Sequence, residues 1–433
     1  MNASTPGSTD SAVQPALGLA AVATSGSAVS AVTISARAAK KLRGGLPFVS
    51  RADVLDGPTG QTAMDEVFLR DERGVAVGVG LWAERGPIGA RLWSLSGERF
   101  TPEALALRLR AALLRRQPWL DGSRRDAFRL VHGEADFLPG LFIDCYAEAA
   151  AVQTSTQAMN RCRPLVCALL LRLLPCHRVV CRDDGSARDL ESLPRQAGFL
   201  AGGPVSRVRF HDAGSTMEAD LLSDRKTGSF LDQQHNHEQV ASMARLLFAH
   251  GKAQALDTFT YHGGFALALA RAGLAVVACD EDPVAISRAR HNAELTGVAV
   301  DFQVHNAFDL LRHYESEGRR FEVVVLDPPA LAKRGRNPGA GPRDASMLPA
   351  MRGYKELNLR AMRLLLPGGL LVTCSCSGRV GIEDFAAMLR SAAQDSGRVV
   401  QLLSRGGASP DHPVLFGLPE SEYLKCWMFR ALS

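Results

Sequence analysis

Three absences narrow what this 433-residue chain can be. No apolar run reaches the roughly eighteen residues that a membrane span needs, so no transmembrane segment is expected. Nine cysteines are present, yet none forms a C-x-x-C pair and none stands at a zinc-type spacing from histidine. Neither a structural metal nor a disulfide framework is indicated, and reduced thiols in a cytoplasm are the expected setting. The third absence is G-x-G-x-x-G. Without that glycine staircase no backbone is shaped to admit a pyrophosphate, which counts against a nicotinamide-dependent reductase. Residues 1–30, rich in Ala, Ser, Thr and Gly, lack the basic start and compact apolar stretch of a secretory signal and are expected to be a disordered leader.

What is present is a globular composition, 46% hydrophobic and 22% charged, with a net charge of +5 that permits a polyanionic partner without requiring one. The chain is organised around residues 253–280. An apolar run at Ala255 and Leu256 ends in Asp257, and a small-residue loop with Gly263 and Gly264 follows. An alanine-rich helix then runs to Gly273, and a second apolar run ends at Asp280. Strand, glycine turn, helix and strand open a parallel sheet that holds a nucleotide-like ligand beyond its strand ends. Asp280, placed after the turn to accept from ribose hydroxyls, and the missing pyrophosphate site together point to S-adenosylmethionine.

Residues 31–100 read as a small β-barrel: short strands broken by glycines, with a basic helix at Arg37, Lys40, Lys41 and Arg43. Lys40, Lys41 and Arg43 suit an RNA phosphate backbone, although a solvated helix face has the same composition. Residues 101–214 read as a small α+β domain, opened by a helix with Thr101 as cap and Pro102 first. Strands flank the polar turn 133–140, where His132, Glu134 and Asp136 are read as turn chemistry. A helix over 162–174, a strand over 177–181 and an irregular segment to Asp212 complete it. Residues 215–433 alternate helix and strand, starting with a helix over 236–250 closed by Gly251. That alternation predicts an α/β fold, a Rossmann-like, doubly wound, mostly parallel seven-stranded sheet. Asp257, Asp280, Asn306, Asp327 and Cys376 all fall at or just past its strand ends, where such sheets bind ligands.

Seven stretches carry a family likeness: DRKTGSFLDQQHNH (224–237), LDTFTYHGGF (256–265), ACDEDPVAISRARHN (278–292), LDPPALAK (326–333), RGYKELNLRAMRLLLPGG (352–369), TCSCSG (373–378) and DHPVLFGLPESEYLK (411–425). With them the chain resembles the bacterial class I methyltransferases with an N-terminal PUA domain that make 5-methylcytosine in large-subunit ribosomal RNA. The resemblance covers nearly everything after the leader. It implies a PUA barrel, a central α+β domain and a methyltransferase domain from about residue 215. It also implies S-adenosylmethionine as cofactor and ribosomal RNA as partner; a homodimer is left open. Implied cofactor contacts are Lys226, Thr227, Asp232, Asp257, Phe259, Tyr261, Gly263, Gly264, Asp280, Asn306 and Asp327. The chain departs from the family's usual pattern at Arg225, Ser229, Gln234, His237, His262 and Asn306.

Carbon 5 of cytosine is a poor nucleophile, and a thiolate adding to carbon 6 makes it enamine-like. The resemblance aligns Cys376 with that nucleophile. Cys374 is the neighbouring alternative, since strand alternation points both side chains the same way for as long as the strand stays extended. Asp327 is expected to hold the base and stabilise charge as the thiol adds. Lys333 and Arg334 are placed to meet RNA phosphates. Two other functions remain open on sequence: methylation at a guanine nitrogen, which needs no thiol, and RNA binding without turnover.

Overall fold

The computed structural model describes residues 30–58, 66–120, 122–248, 253–331 and 347–433. Residues 1–29 of the expected leader, the helix-closing Gly251, and Lys333 and Arg334 lie outside the described residues, and Ser30, the last residue assigned to the leader, instead opens a strand. Among the described residues, no helix is long and apolar enough to cross a membrane, and no cluster of His, Cys, Asp or Glu could hold a metal ion.

The first sheet is built from β1 (Ser30–Ile34), β2 (Phe48–Ser50), β3 (Val54–Asp56), β4 (Glu66–Asp71), β5 (Ala76–Trp82) and β6 (Ile88–Ser94) in the order β2-β6-β5-β4-β1-β3. Alternate residues of these strands, with Ala38, Ala39 and Leu42 of helix α1 (Ala36–Arg43), fill one small core around Val32, Ile34 and Trp82. The cationic face of α1 points outward: Lys40, Lys41 and Arg43 are exposed.

The second sheet follows helix α2 (Pro102–Arg116), whose first turn is capped by Thr101 Oγ1 accepting from Ala104 N at 3.2 Å. It contains β7 (Ala127–His132), β8 (Leu141–Tyr146), β9 (Ala149–Thr154), β10 (Arg178–Asp183) and β11 (Gln196–Ala201), with α3 (Gln157–Leu173) crossing between β9 and β10. The segment expected to be irregular up to Asp212 is ordered: β11 pairs with β10, and β12 (Arg207–Asp212) forms a hairpin with β13 (Ser215–Asp220). Strand β11, QAGFLA, has no fully buried residue, so its apolar alternation is weak and left no strand signal. The polar turn does work as turn chemistry. Asp136 accepts from His132 N at 2.7 Å and pairs with the buried Arg116. Hairpin β12–β13 packs into a core shared by the second and third sheets, through Val208, Phe210, Met217 and Ala219.

The third sheet has seven strands: β14 (Gln254–Thr258), β15 (Ala275–Asp280), β16 (Asp301–Val304), β17 (Phe321–Leu326), β18 (Leu365–Ser375), β19 (Val400–Gly406) and β20 (Lys425–Ala431). Their order is β16-β15-β14-β17-β18-β20-β19, parallel except for β20. Helices α4 (Gln234–Phe248), α5 (Gly264–Arg271), α6 (Pro283–Thr296), α7 (Ala307–Ser316), α8 (Leu348–Leu364) and α9 (Ile382–Ser396) cover its faces. Central strands of such a sheet are buried on both sides, and period 2 divides their residues. Val323 and Val325 join one core with Val372 and Cys374, whereas Val324 and Leu326 join the other with Leu371 and Trp427. The doubly wound, mostly parallel architecture expected from the alternation is the one observed.

Candidate active site

The strand order reverses between β14 and β17, the switch point outside which open α/β sheets bind ligands. A cleft of about 960 Å³, open solvent included, lies there. Of the residues singled out from sequence, Lys226, Asp232, Phe259, Tyr261, Gly264, Asp280, Asp327 and Cys376 line it.

Its floor is the loop after β14. Phe259 and Tyr261 have φ of +66° and +49°, a left-handed backbone that costs a side-chain-bearing residue roughly 1–3 kcal/mol. Three hydrogen bonds hold them there: Thr260 N donates to the Cys279 carbonyl at 2.9 Å, Thr260 Oγ1 to Asp257 Oδ2 at 2.6 Å, and Tyr261 N to Asp280 Oδ2 at 2.9 Å. The His262 ring stacks on Tyr261 at 3.6 Å and 11°. Burial pushes the His262 imidazole down to about 3, with the Arg288 and Arg225 charges adding, so it stacks as a neutral ring. Gly264 lets His237 close the floor. A Cβ there would stand 2.3 Å from the His237 ring, which Asp212 fixes at 2.9 Å.

Four expected contacts lie off the cleft wall. Thr227 is buried and donates to Asp144 Oδ2 at 2.5 Å, tying the 224–234 segment to β8. Gly263 supplies the φ of +95° that starts α5. Asn306 is the exposed N-cap of α7, accepting from Phe308 N and Asp309 N, and its amide reaches Glu281 Oε2 at 3.2 Å. Asp257 is wholly buried beneath the loop. Burial raises its carboxyl to about 7. A carboxyl raised in the fold stabilises it fully below the unfolded value near 4 and loses that contribution as pH rises through about 7. Asp257→Asn should therefore gain stability over wild type by roughly 1–3 kcal/mol between pH 5 and pH 8. Thermal unfolding at the two pH values measures it; an equal difference at both would show that Asp257 does not titrate there.

One part of the cleft gathers Lys226, Asp232, Asp327 and Cys376. Lys226 Nζ and Tyr423 OH each donate to Asp232 Oδ2 at 2.6 Å. Burial works to raise the Asp232 carboxyl, but the Lys226 and His412 charges and these two hydrogen bonds outweigh it and hold the group ionised, well below the usual range. Asp327 Oδ2 accepts from Gln233 Nε2 at 3.0 Å. Burial, with Asp232 nearby, pushes the Asp327 carboxyl up to about 6. Cys376 Sγ lies 3.9 Å from the Pro328 carbonyl, and burial followed by the Asp327 charge pushes its thiol up to about 11. The two candidate cysteines part company because β18 ends at Ser375. Cys374 is fully buried opposite Cys426, whereas Cys376 turns into the cleft. Buried Lys425 anchors that turn, its ammonium donating to the carbonyls of Ser377, Val380 and Tyr423 at 2.8–2.9 Å.

Sequence reasoning missed Gln233, Tyr423 and Lys425 and named His237 only as a departure from the family pattern, although each sits inside a stretch that carries the resemblance. It also missed Glu281. Asp280 accepts one backbone hydrogen bond on each oxygen, from Tyr261 N and from Asp282 N at 3.1 Å, while Glu281 lies exposed in the cleft wall. A wall of Asp232, Asp280, Glu281 and Asp327, with a buried unpartnered oxygen on Asp232, suits a ligand bearing ribose hydroxyls and positive charge. S-adenosylmethionine has both. Glu281→Gln should weaken S-adenosylmethionine by about tenfold, the loss of a charged hydrogen-bond acceptor, as titration calorimetry will read. Affinity equal to wild type would return the ribose to Asp280.

A doubly wound sheet with a glycine loop and acidic strand ends around a switch-point cleft defines a class I methyltransferase fold. Residues 193–418 match the S-adenosylmethionine-dependent methyltransferase family, and residues 32–95 match the PUA-like domain. The chain belongs to the S-adenosylmethionine-dependent methyltransferases, here with an N-terminal PUA-like domain. It is 34% identical over 372 residues to the Ribosomal RNA large subunit methyltransferase I of Aeromonas salmonicida, covering 84% of this chain and 90% of the relative. To the protein of the same name from Shewanella amazonensis it is 33% identical over 355 residues, covering 81% and 86%. Among solved structures, a methyltransferase complexed with SAH superposes with a TM-score of 0.75 at 16% identity, over 92% of this chain and 99% of that one.

Proposed function

We propose that this methyltransferase acts on large-subunit ribosomal RNA and forms 5-methylcytosine through a covalent adduct on Cys376. The substrate class rests on the names of the relatives, which cover over four-fifths of the chain. The chemistry rests on one observation: a thiol turned out of its strand into the cofactor cleft beside Asp327. S-adenosylmethionine, when bound, supplies an electrophilic methyl group on a cationic sulfonium. Lys226, Asp232 and the loop at 259–264 orient the cofactor, and the Cys376 thiolate adds to carbon 6 of the base. Asp327, raised to about 6, carries a proton to the ring nitrogen as the adduct forms and neutralises its charge. Carbon 5 takes the methyl, its proton leaves to solvent or a base as the carbon–sulfur bond breaks to return the thiolate, and the ring nitrogen gives its proton back to Asp327. Loss of Asp327's negative charge on protonation also lowers the barrier to ionising Cys376, whose thiol that charge holds up.

Transfer of a labelled methyl to unmodified large-subunit ribosomal RNA, followed by nucleoside analysis, tests the reading. Label in 5-methylcytosine is the expected result. Label on a guanine nitrogen would keep the family and discard the covalent mechanism.

A further inference from the structure

Residues 411–423 belong to one of the stretches that carry the resemblance, and most of them have no part in the cleft. Even so, the segment is tied down at three points. At its start Asp411 is held by β7 and α2: Arg129 N donates to its carboxylate at 2.8 Å and Arg116 to its carbonyl at 3.0 Å. At its end Tyr423 donates to Asp232 and so reaches the cleft. Between them a tight turn closes where Leu418 N donates to the Leu415 carbonyl at 2.7 Å and Leu415 N to Ser421 Oγ at 2.9 Å. Gly417 of that turn meets the turn after α1 backbone to backbone; a Cβ on it would stand 2.3 Å from the carbonyl of Gly45.

Gly45 is two residues past the end of α1, whose last turn carries the exposed Lys40, Lys41 and Arg43. Phe416 sits one residue from this contact and is 99% exposed. An apolar ring left wholly in water on a pinned turn adds nothing to the fold, because burial is what makes phenylalanine stabilising. A ring held in this way is suited to stacking. Any nucleobase offers a π face to an aromatic ring, and cations alongside supply the sequence-independent attraction to phosphate. A single ring is far too small an apolar area to hold a second copy of this chain.

We infer that Phe416 stacks on an unpaired base of the RNA substrate while Lys40, Lys41 and Arg43 of α1 engage the neighbouring phosphates. The inference rests on the reading above that the substrate is RNA, and it makes the 411–423 segment a strap that sets the RNA relative to the cleft.

The test compares wild type, Phe416→Ala and Phe416→Trp on two probes, a labelled single-stranded oligoribonucleotide of mixed sequence and an unmodified large-subunit ribosomal RNA transcript. Phe416→Ala should bind the oligoribonucleotide about tenfold more weakly and raise KM for the transcript, with S-adenosylmethionine affinity and Tm unchanged. Phe416→Trp should restore binding, with tryptophan emission quenched when the oligoribonucleotide is added. Equal RNA affinity in wild type and Phe416→Ala, with methyl transfer to RNA intact, overturns the inference and leaves the substrate standing. A wild type that binds and methylates no RNA overturns both. Self-association lost in Phe416→Ala with RNA affinity unchanged assigns the ring to a second copy of the chain and also overturns it.

Discussion

Cys376→Ala should reduce 5-methylcytosine formation by about a thousandfold or more, the scale of loss when an enzyme nucleophile is removed. Its S-adenosylmethionine affinity should stay within about twofold, because the acidic wall and glycine loop proposed to hold the cofactor are untouched. Cys374→Ala separates the two thiols. Cys374 is fully buried against Cys426, so its loss should lower stability by about 1 kcal/mol through a small cavity and leave turnover largely intact. Rapid-quench methyl transfer with each variant reads both effects. Wild-type turnover in Cys376→Ala would remove the covalent step, and loss of turnover confined to Cys374→Ala would move it to the other thiol.

Asp327→Asn should cost about a hundredfold to ten-thousandfold in kcat, the range of a positioned acid–base group. Its pH profile is the sharper reading. The proposed mechanism needs a protonated Asp327 with an ionised Cys376, one proton between them. Asp327 titrates at about 6 and Cys376 at about 11, so the total of one shared proton prevails throughout that interval. Wild-type kcat/KM should therefore rise as pH climbs through about 6 and then stay level into the alkaline range. In Asp327→Asn only the thiol titrates, and it loses the carboxylate charge that raises it. The residual rate should climb steadily through neutral pH toward a thiol value below that of wild type. A variant that keeps the acid limb near 6 would show that another group carries it.

Much of this was legible in the sequence because strand ends announce themselves. Apolar runs that stop at Asp280 and Asp327 place both carboxylates at one edge of a parallel sheet, and the structure puts both in the cleft. Asn306 shows where the same logic stops. It too follows a strand, but a helix that the sequence reading passed over, α7, begins at the next residue, and the Asn306 side chain caps it. Thr227 stood in a block of polar ligand-type residues, yet its partner is Asp144, 83 residues away. No local pattern reports a contact so distant. The separation of Cys374 from Cys376 was invisible for a related reason. Alternation makes them equivalent, and only the end of β18 at Ser375, with Lys425 from the neighbouring strand gripping the turn beyond it, sets them apart.

The proposed covalent step can be tested directly. A large-subunit ribosomal RNA transcript in which cytosine is replaced by 5-fluorocytosine has no proton at carbon 5 for the final elimination, so an adduct that accepts the methyl cannot break down. Incubated with this protein and S-adenosylmethionine, it should give a denaturant-stable protein–RNA complex, and digestion with mass spectrometry should find the nucleotide on the peptide containing Cys376. Full methyl transfer to ordinary transcript with no stable complex on the fluorinated one would contradict a cysteine adduct.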